Sequence, residues 1–183
     1  MEVNIIRDGN REKLCVMGAP IKRAPFSDFS GANSNGNHHF NIVIPEEHLE
    51  KFRHFGYSPY YLDGKDGKYT PEWILDNVIG YKFGDPGVFL VPYGCEKREL
   101  KEKDLIDLDD PYISIDYVDM FLSPHPWTNN GKSGVKPYVS QLHVYLSAPS
   151  YIEQRYQERL KNAVQTEPVQ ETFIPVEDED IPF

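Results

Sequence analysis

The chain is cut into short apolar segments by turn-forming residues. Thirteen glycines and fifteen prolines are spread through 183 residues. Gly9-Asn10, Asp63-Gly64-Lys65-Asp66-Gly67 and Gly84-Asp85-Pro86-Gly87 separate stretches rich in β-branched and aromatic side chains. Glycine supplies positive φ at such turns, and proline fixes φ while removing a ladder donor. Strands at short intervals joined this way favour a small barrel or sandwich over a parallel sheet.

The elements can be read in order. Residues 2–7 and 12–23 form a hairpin about Gly9-Asn10, and His39 to Ile44 alternates as a strand. Pro45-Glu46-Glu47 opens a helix, because proline fits the first turn and acids complement the dipole. Leu49, Phe52 and Phe55 form its buried face and Gly56 ends it. Tyr57 to Leu62 is extended. Trp73 to Phe83 reads as a strand with a bulge or bend at Gly80, and Val88 to Tyr93 as its returning partner. Leu100, Leu105 and Leu108 support a short helix in the charged run 96–110. Tyr112 to Leu122 is a long strand, Pro124 to Gly134 a loop and Val135 to Leu146 a final strand. The alternation puts Val135, Pro137, Val139, Gln141, His143 and Tyr145 on one face of that last strand. Tyr151 to Val164 carries a helical stripe of Ile152, Tyr156, Leu160 and Ala163.

After Gln165 the pattern is lost. Glu177-Asp178-Glu179-Asp180 is followed by the apolar end Ile181-Pro182-Phe183, and no Lys or Arg occurs after Lys161. Such a segment cannot bury enough surface to fold by itself. The expected organisation is therefore a domain over 1–164 and a flexible acidic tail over 165–183. The tail has a charged stem and an apolar tip, which suits a basic-rimmed hydrophobic pocket on a partner, with Phe183 as anchor.

The net charge of −10 argues against a uniformly basic binding surface. Residues 167–183 hold six acids and no base, so the rest carries 19 bases against 29 − 6 = 23 acids, a net of −4. A polyanion would have to meet a local basic patch. Cys15 and Cys95 stand 80 positions apart with no CxxC and read as reduced, buried thiols of an intracellular protein. No apolar run reaches membrane-spanning length, and the N-terminus lacks the apolar core of a signal peptide.

Residues 127–147 combine Trp127, Tyr138, Tyr145, Lys132 and Lys136 without a single acid. Lys22, Arg23, Phe26 and Phe29 make a second set of cations and rings, and Lys82 is a further cation. Cations hold phosphates and flat rings stack on bases, the two requirements of sequence-neutral single-strand binding. The competing reading is that most of these rings are core residues. His38-His39 shows no recurring metal-ligand spacing. Asp104, Asp107, Asp109 and Asp110 read as a solvated acidic loop. Gly131-Lys132-Ser133 lacks the upstream glycine of a phosphate-binding loop. No cofactor, metal site or catalytic arrangement is expected, and the chain is not expected to be an enzyme.

Two body segments and the tip carry a family resemblance. The first runs from Ile21-Lys22-Arg23 through Phe29-Ser30-Gly31 and Phe40-Asn41-Ile42-Val43-Ile44-Pro45 to Gly56-Tyr57. The second runs from Val118 through Trp127 and Gly131-Lys132-Ser133-Gly134-Val135-Lys136-Pro137-Tyr138 to Leu146. Together with the acidic Ile-Pro-Phe end they resemble the bacteriophage single-stranded-DNA-binding proteins with an OB fold. The loop Asn33 to His39 departs from that pattern in carrying no arginine.

The resemblance implies a mainly β domain: a five-stranded OB-type barrel with extra N-terminal strands, an internal helix and a C-terminal helix, followed by the acidic tail. It implies a protein that coats single-stranded DNA in phage replication or recombination, in the cytoplasm of the infected bacterium. It further implies recruitment of replication and recombination proteins through Asp178, Glu179, Asp180, Ile181, Pro182 and Phe183. A homo-oligomer is compatible with it. The rival readings are an acidic adaptor that occupies host pockets for such tips without binding DNA, and a metal-dependent nuclease accessory using the acidic 104–110 loop.

Overall fold

A computed structural model describes residues 1–9, 11–22, 28–32, 37–64, 70–82, 84–109 and 113–147, with the backbone alone for 28–32. The expected helix over 151–164 and the tail over 165–183 lie outside the described residues. What is described is mainly β, as expected.

The chain opens with a hairpin of β1 (Glu2–Asp8) and β2 (Arg11–Ala19), turning at Gly9 with φ +61°. After Pro20 comes the two-residue β3 (Ile21–Lys22), then β4 (Asp28–Ala32) and β5 (Asn37–Ile44). A 3-10 turn over Glu46–His48 leads into α1 (Leu49–His54), which buries Leu49 and Phe52 as its spacing requires. Gly56 leaves the helix at φ +77°. Then follow β6 (Tyr60–Leu62), β7 (Glu72–Gly80), β8 (Gly87–Val91), β9 (Arg98–Leu100), a 3-10 segment over Glu102–Asp109, β10 (Ile115–Asn129) and β11 (Lys132–Leu146).

The main ladder runs β1-β2-β10-β11-β7-β5-β3. Its β2 and β3 members are separated in the chain only by Pro20, whose carbonyl accepts the Val43 N–H at 3.0 Å. The inner faces meet in one core. Leu14 and Val16 of β2, Phe40 and Ile42 of β5, Leu75 and Ile79 of β7, Val118 and Leu122 of β10, and Leu142 and Val144 of β11 are all buried there. Each fully buried aliphatic or aromatic side chain contributes about 1.5–3 kcal/mol.

Five sequence expectations are corrected. Val88–Tyr93 does not return beside the Trp73 strand. Its β8 lies parallel to β11, with Val88 opposite Leu142, and antiparallel to β9. Both edges of β7 are already occupied, one by β5 and the other by β6 and β11. Gly80 is not a bulge or bend inside the strand but the end of β7, opposite Asn37. In the 96–110 run, Leu100 belongs to strand β9, and only Leu105 and Leu108 sit in the helical segment.

Pro124 to Gly134 is not a loop. β10 and β11 stay paired out to Asn129 opposite Lys132, turning at Asn130 (φ 49°) and Gly131 (φ 75°). Pro124 and Pro126 fit because β10 leaves β2 at Leu122, so they fall where the strand has no second partner among the described residues.

The alternation along β11 is also broken. Phe121 faces Gln141 but Leu122 faces Val139, so Ser140 is an inserted residue. Pro137 and Val139 point inward before it, and Leu142 and Val144 after it.

Candidate nucleic-acid interface

Beyond Tyr117 β10 carries no insertion of its own, so its odd-numbered residues keep one outer face from Tyr117 to Trp127. Opposite them stand Tyr145, His143, Gln141, Tyr138, Lys136 and Gly134 of β11. The bulge at Ser140 therefore brings Tyr138 and Tyr145 to the same side of the hairpin, although their numbers differ by an odd count. One half-buried stripe runs from the body of the sheet to the tip of the arm.

The distal half of the stripe is the candidate site. Trp127 lies over Gly134, where a Cβ would stand 2.9 Å from the indole Nε1. The rings of His125 and Tyr138 are 4.7 Å apart and tilted by 47°. Lys136 faces His125 across the ladder, and Lys132 is exposed at the tip. Tyr138 also reaches the neighbouring strands: its hydroxyl accepts from Asn37 Nδ2 at 3.1 Å, and its ring covers Gly80. Beyond Asn37, the outer face of β5 carries His39, whose Nδ1 lies 3.0 Å from an Asp76 carboxylate oxygen. The result is a shallow surface of rings bordered by lysines, with Gly80 and Gly134 seating the rings of Tyr138 and Trp127.

Among the expected site residues, the structure brings Trp127, Lys132, Lys136 and Tyr138 together. Tyr145 is apart from them, seven residues along β11 and roughly 20 Å away. It stacks on Tyr117 at 4.5 Å between centroids. Burial, then a hydrogen bond with Asp119, raises its phenol above the usual tyrosine range. That proximal half is closed in by Phe89, edge-on to His143 at 5.1 Å. A cavity of about 290 Å³ lies there, between Cys15, Phe121 and His143. The expected burial of the thiols is corrected as well: Cys15, on the outer side of β2, is only half-buried and Cys95 is exposed.

Lys22 sits in β3, its Nζ bonded to Glu72. Lys82 is exposed just beyond β7. Phe29 lies in β4, where the backbone alone is described, and Arg23, Phe26 and Asp178–Phe183 lie outside the described residues. Sequence reasoning missed His125, Asn37 and His39. His125 was legible in principle, being two residues from Trp127 in a stretch that alternates once it is read as strand.

The weaker sequence clusters dissolve. His38 and His39 point to opposite faces. His38 is buried, 3.1 Å from Glu102 Oε1, and edge-on to Tyr81. Burial, then Glu102, Asp85 and Asp104, pushes the Tyr81 phenol up to about 12. In the acidic loop, Asp104 accepts the Lys101 backbone N–H and Asp107 pairs with Arg98.

No curated protein matches the sequence. Among solved structures, the single-stranded DNA-binding protein from bacteriophage Enc34 has a similar fold, with a TM-score of 0.51 at 11% identity over 82% of this chain and 93% of that one. The same phage protein in complex with ssDNA gives 0.50 at 11% identity, covering 82% of this chain and 98% of that one. Its C-terminal truncation also gives 0.50 at 11% identity, covering 81% and 97%. At that identity the likeness establishes the fold alone. The sequence itself settles the family: residues 10–181 match the model of the phage ssDNA-binding domain, and with nearly its whole length inside that match the chain belongs to the phage ssDNA-binding domain family.

Proposed function

We propose that this protein coats single-stranded DNA without reading its sequence. Bases stack on Tyr138, Trp127 and His125 while Lys136 and Lys132 take phosphates. The observation that carries the reading is the continuous outer stripe of the β10–β11 arm, with half-exposed rings in cross-strand register beside lysines and no acid between residues 127 and 147. Stacking is sequence-tolerant because every base has a π face, and each stacked base contributes about 1–3 kcal/mol. Family membership and the Enc34 protein's complex with ssDNA support it.

The underlying architecture on this reading is an OB-type barrel. Its five strands are the β2–β3 segment, β5, β7, β11 and β10, with β1 as an addition. The ladder that leads from β3 round to β2 supports this.

The protein acts without catalysis, in replication or recombination of phage DNA within the host cell. Residues Asp178–Phe183 recruit partner proteins through the acidic stem and the Phe183 anchor. The test is a gel shift with poly-dT against duplex DNA of equal length. Preferential retardation of poly-dT is expected. Equal retardation, or none, would overturn the reading.

A further inference from the structure

The pairing of β10 with β2 stops at Leu122 opposite Leu14, yet both strands continue. β2 runs back with β1 to the hairpin end at Asp8 and Arg11, while β10 runs on with β11 to Asn129 and Lys132. Two hairpin arms therefore diverge from one point. The cleft between them encloses about 900 Å³. Arg7, Arg11 and Lys13 line one wall, Ser123 and Pro124 the other, and His54 and Phe55 the end of α1.

The chemistry of this cleft differs from that of the chain around it. In a protein of net charge −10, three of its lining residues are Arg or Lys and the lining holds one acid, Glu12. Arg7 meets Glu12 at 3.3 Å with most of its side chain in solvent. Exposed pairs of that kind contribute at most about 1 kcal/mol, so a phosphate can displace Glu12. Lys13 pairs with Asp8 at 2.6 Å. Arg11 forms no ion pair among the described residues. The cleft is also continuous with the aromatic stripe. Ser123 lines it and faces Tyr138 across the ladder.

We propose that this cleft is a second binding segment for the phosphodiester backbone of the same single strand. It takes the nucleotides that leave the Tyr138 surface past Ser123. Arg7, Arg11 and Lys13 hold phosphates. The proposal rests on the reading of the β10–β11 stripe as the first segment. It gives a site longer than the stripe alone and assigns the β1–β2 hairpin a role in contacting DNA.

The test uses the full chain with Arg7→Gln and Arg11→Gln together. Both side chains are exposed, so folding is checked simply by an unchanged melting curve. Affinity is measured for oligo-dT of about six and about thirty nucleotides, spanning the site sizes of such domains. The wild type is expected to bind the long strand more tightly than its extra length alone would give. In the variant the short strand should be unaffected. The long strand should weaken roughly tenfold or more at low salt, and its salt slope should fall by about 1.4, from two contacts at about 0.7 each. Unchanged binding of the long strand would overturn the proposal, and so would equal weakening of both lengths. A labelled peptide of residues 177–183 is titrated in parallel. Peptide binding that the variant loses, with long-strand affinity intact, would give the cleft to an acidic peptide and overturn the assignment to DNA. A wild type that binds neither oligonucleotide would instead sink the reading of the stripe.

Discussion

Gly80 lies directly against the ring of Tyr138: a Cβ on Gly80 would stand 2.7 Å from the Tyr138 Cε1 and 3.0 Å from Asn37 Oδ1. Tyr138 is also where β11 pairs with β7, opposite Val78. Gly80→Ala should therefore push Tyr138 out of position. The expected cost is about 1–3 kcal/mol of stability from overpacking, together with a loss of single-strand affinity close to that of Tyr138→Ala. Tyr138→Phe, which keeps the ring and loses only the Asn37 hydrogen bond, should bind nearly as wild type. Melting curves and oligo-dT titrations of the three variants check this.

Trp127 is half-buried, and its contact is with Gly134 at the arm, not with the core. Trp127→Ala should cost about 1–3 kcal/mol of binding and little stability. Gly134→Val should act the same way by lifting the indole off its seat. Trp73 is occupied by Arg53 at 5.4 Å and Tyr61 at 5.2 Å, so fluorescence quenching by oligo-dT should survive Trp73→Phe and vanish in Trp127→Phe.

Lys132 and Lys136 should each account for about 0.7 of the slope of log affinity against log salt. The double alanine variant is expected to bind more weakly and to flatten the slope by about 1.4. A slope identical to wild type would remove both lysines from the interface.

His143 is held below the ordinary histidine value of 6.5, first by burial and then by Lys97, with Asp119 opposing. A depressed folded value means that the unfolded chain takes up the proton more readily. The stability from neutral His143 is thus complete above 6.5 and is lost as pH falls through the lowered value. Thermal melts between about pH 7.5 and about pH 5 should show a smaller decline for His143→Gln than for wild type.

Deleting residues 177–183 should leave DNA binding equal or tighter, most visibly at low salt, because the acids no longer compete at high effective concentration. Phe183→Ala should abolish recruitment of partner proteins and hardly alter DNA binding. Pull-downs beside oligo-dT titrations separate the two activities.

The sequence by itself determined the β class, the first hairpin, α1 with its buried Leu49 and Phe52, and the cluster of Trp127, Lys132, Lys136 and Tyr138. These are local matters. Apolar period, turn chemistry and a run without acids are written in neighbouring residues. Even the arm had a local signal, since Asn130-Gly131 is the preferred pair for a two-residue hairpin; the prolines on either side obscured it. Only the tertiary structure decided the rest. Whether β8 lies on β7 or β11 depends on which edges are already filled. Whether Tyr138 and Tyr145 share a face depends on one inserted residue, Ser140. A strand's alternation is exact in period but blind to insertions, so a single bulge reverses every assignment beyond it. The cleft between Arg11 and Pro124 had no sequence signal at all. It exists because two hairpins that share one stretch of ladder separate beyond Leu122, and that is a property of four strands from two distant parts of the chain.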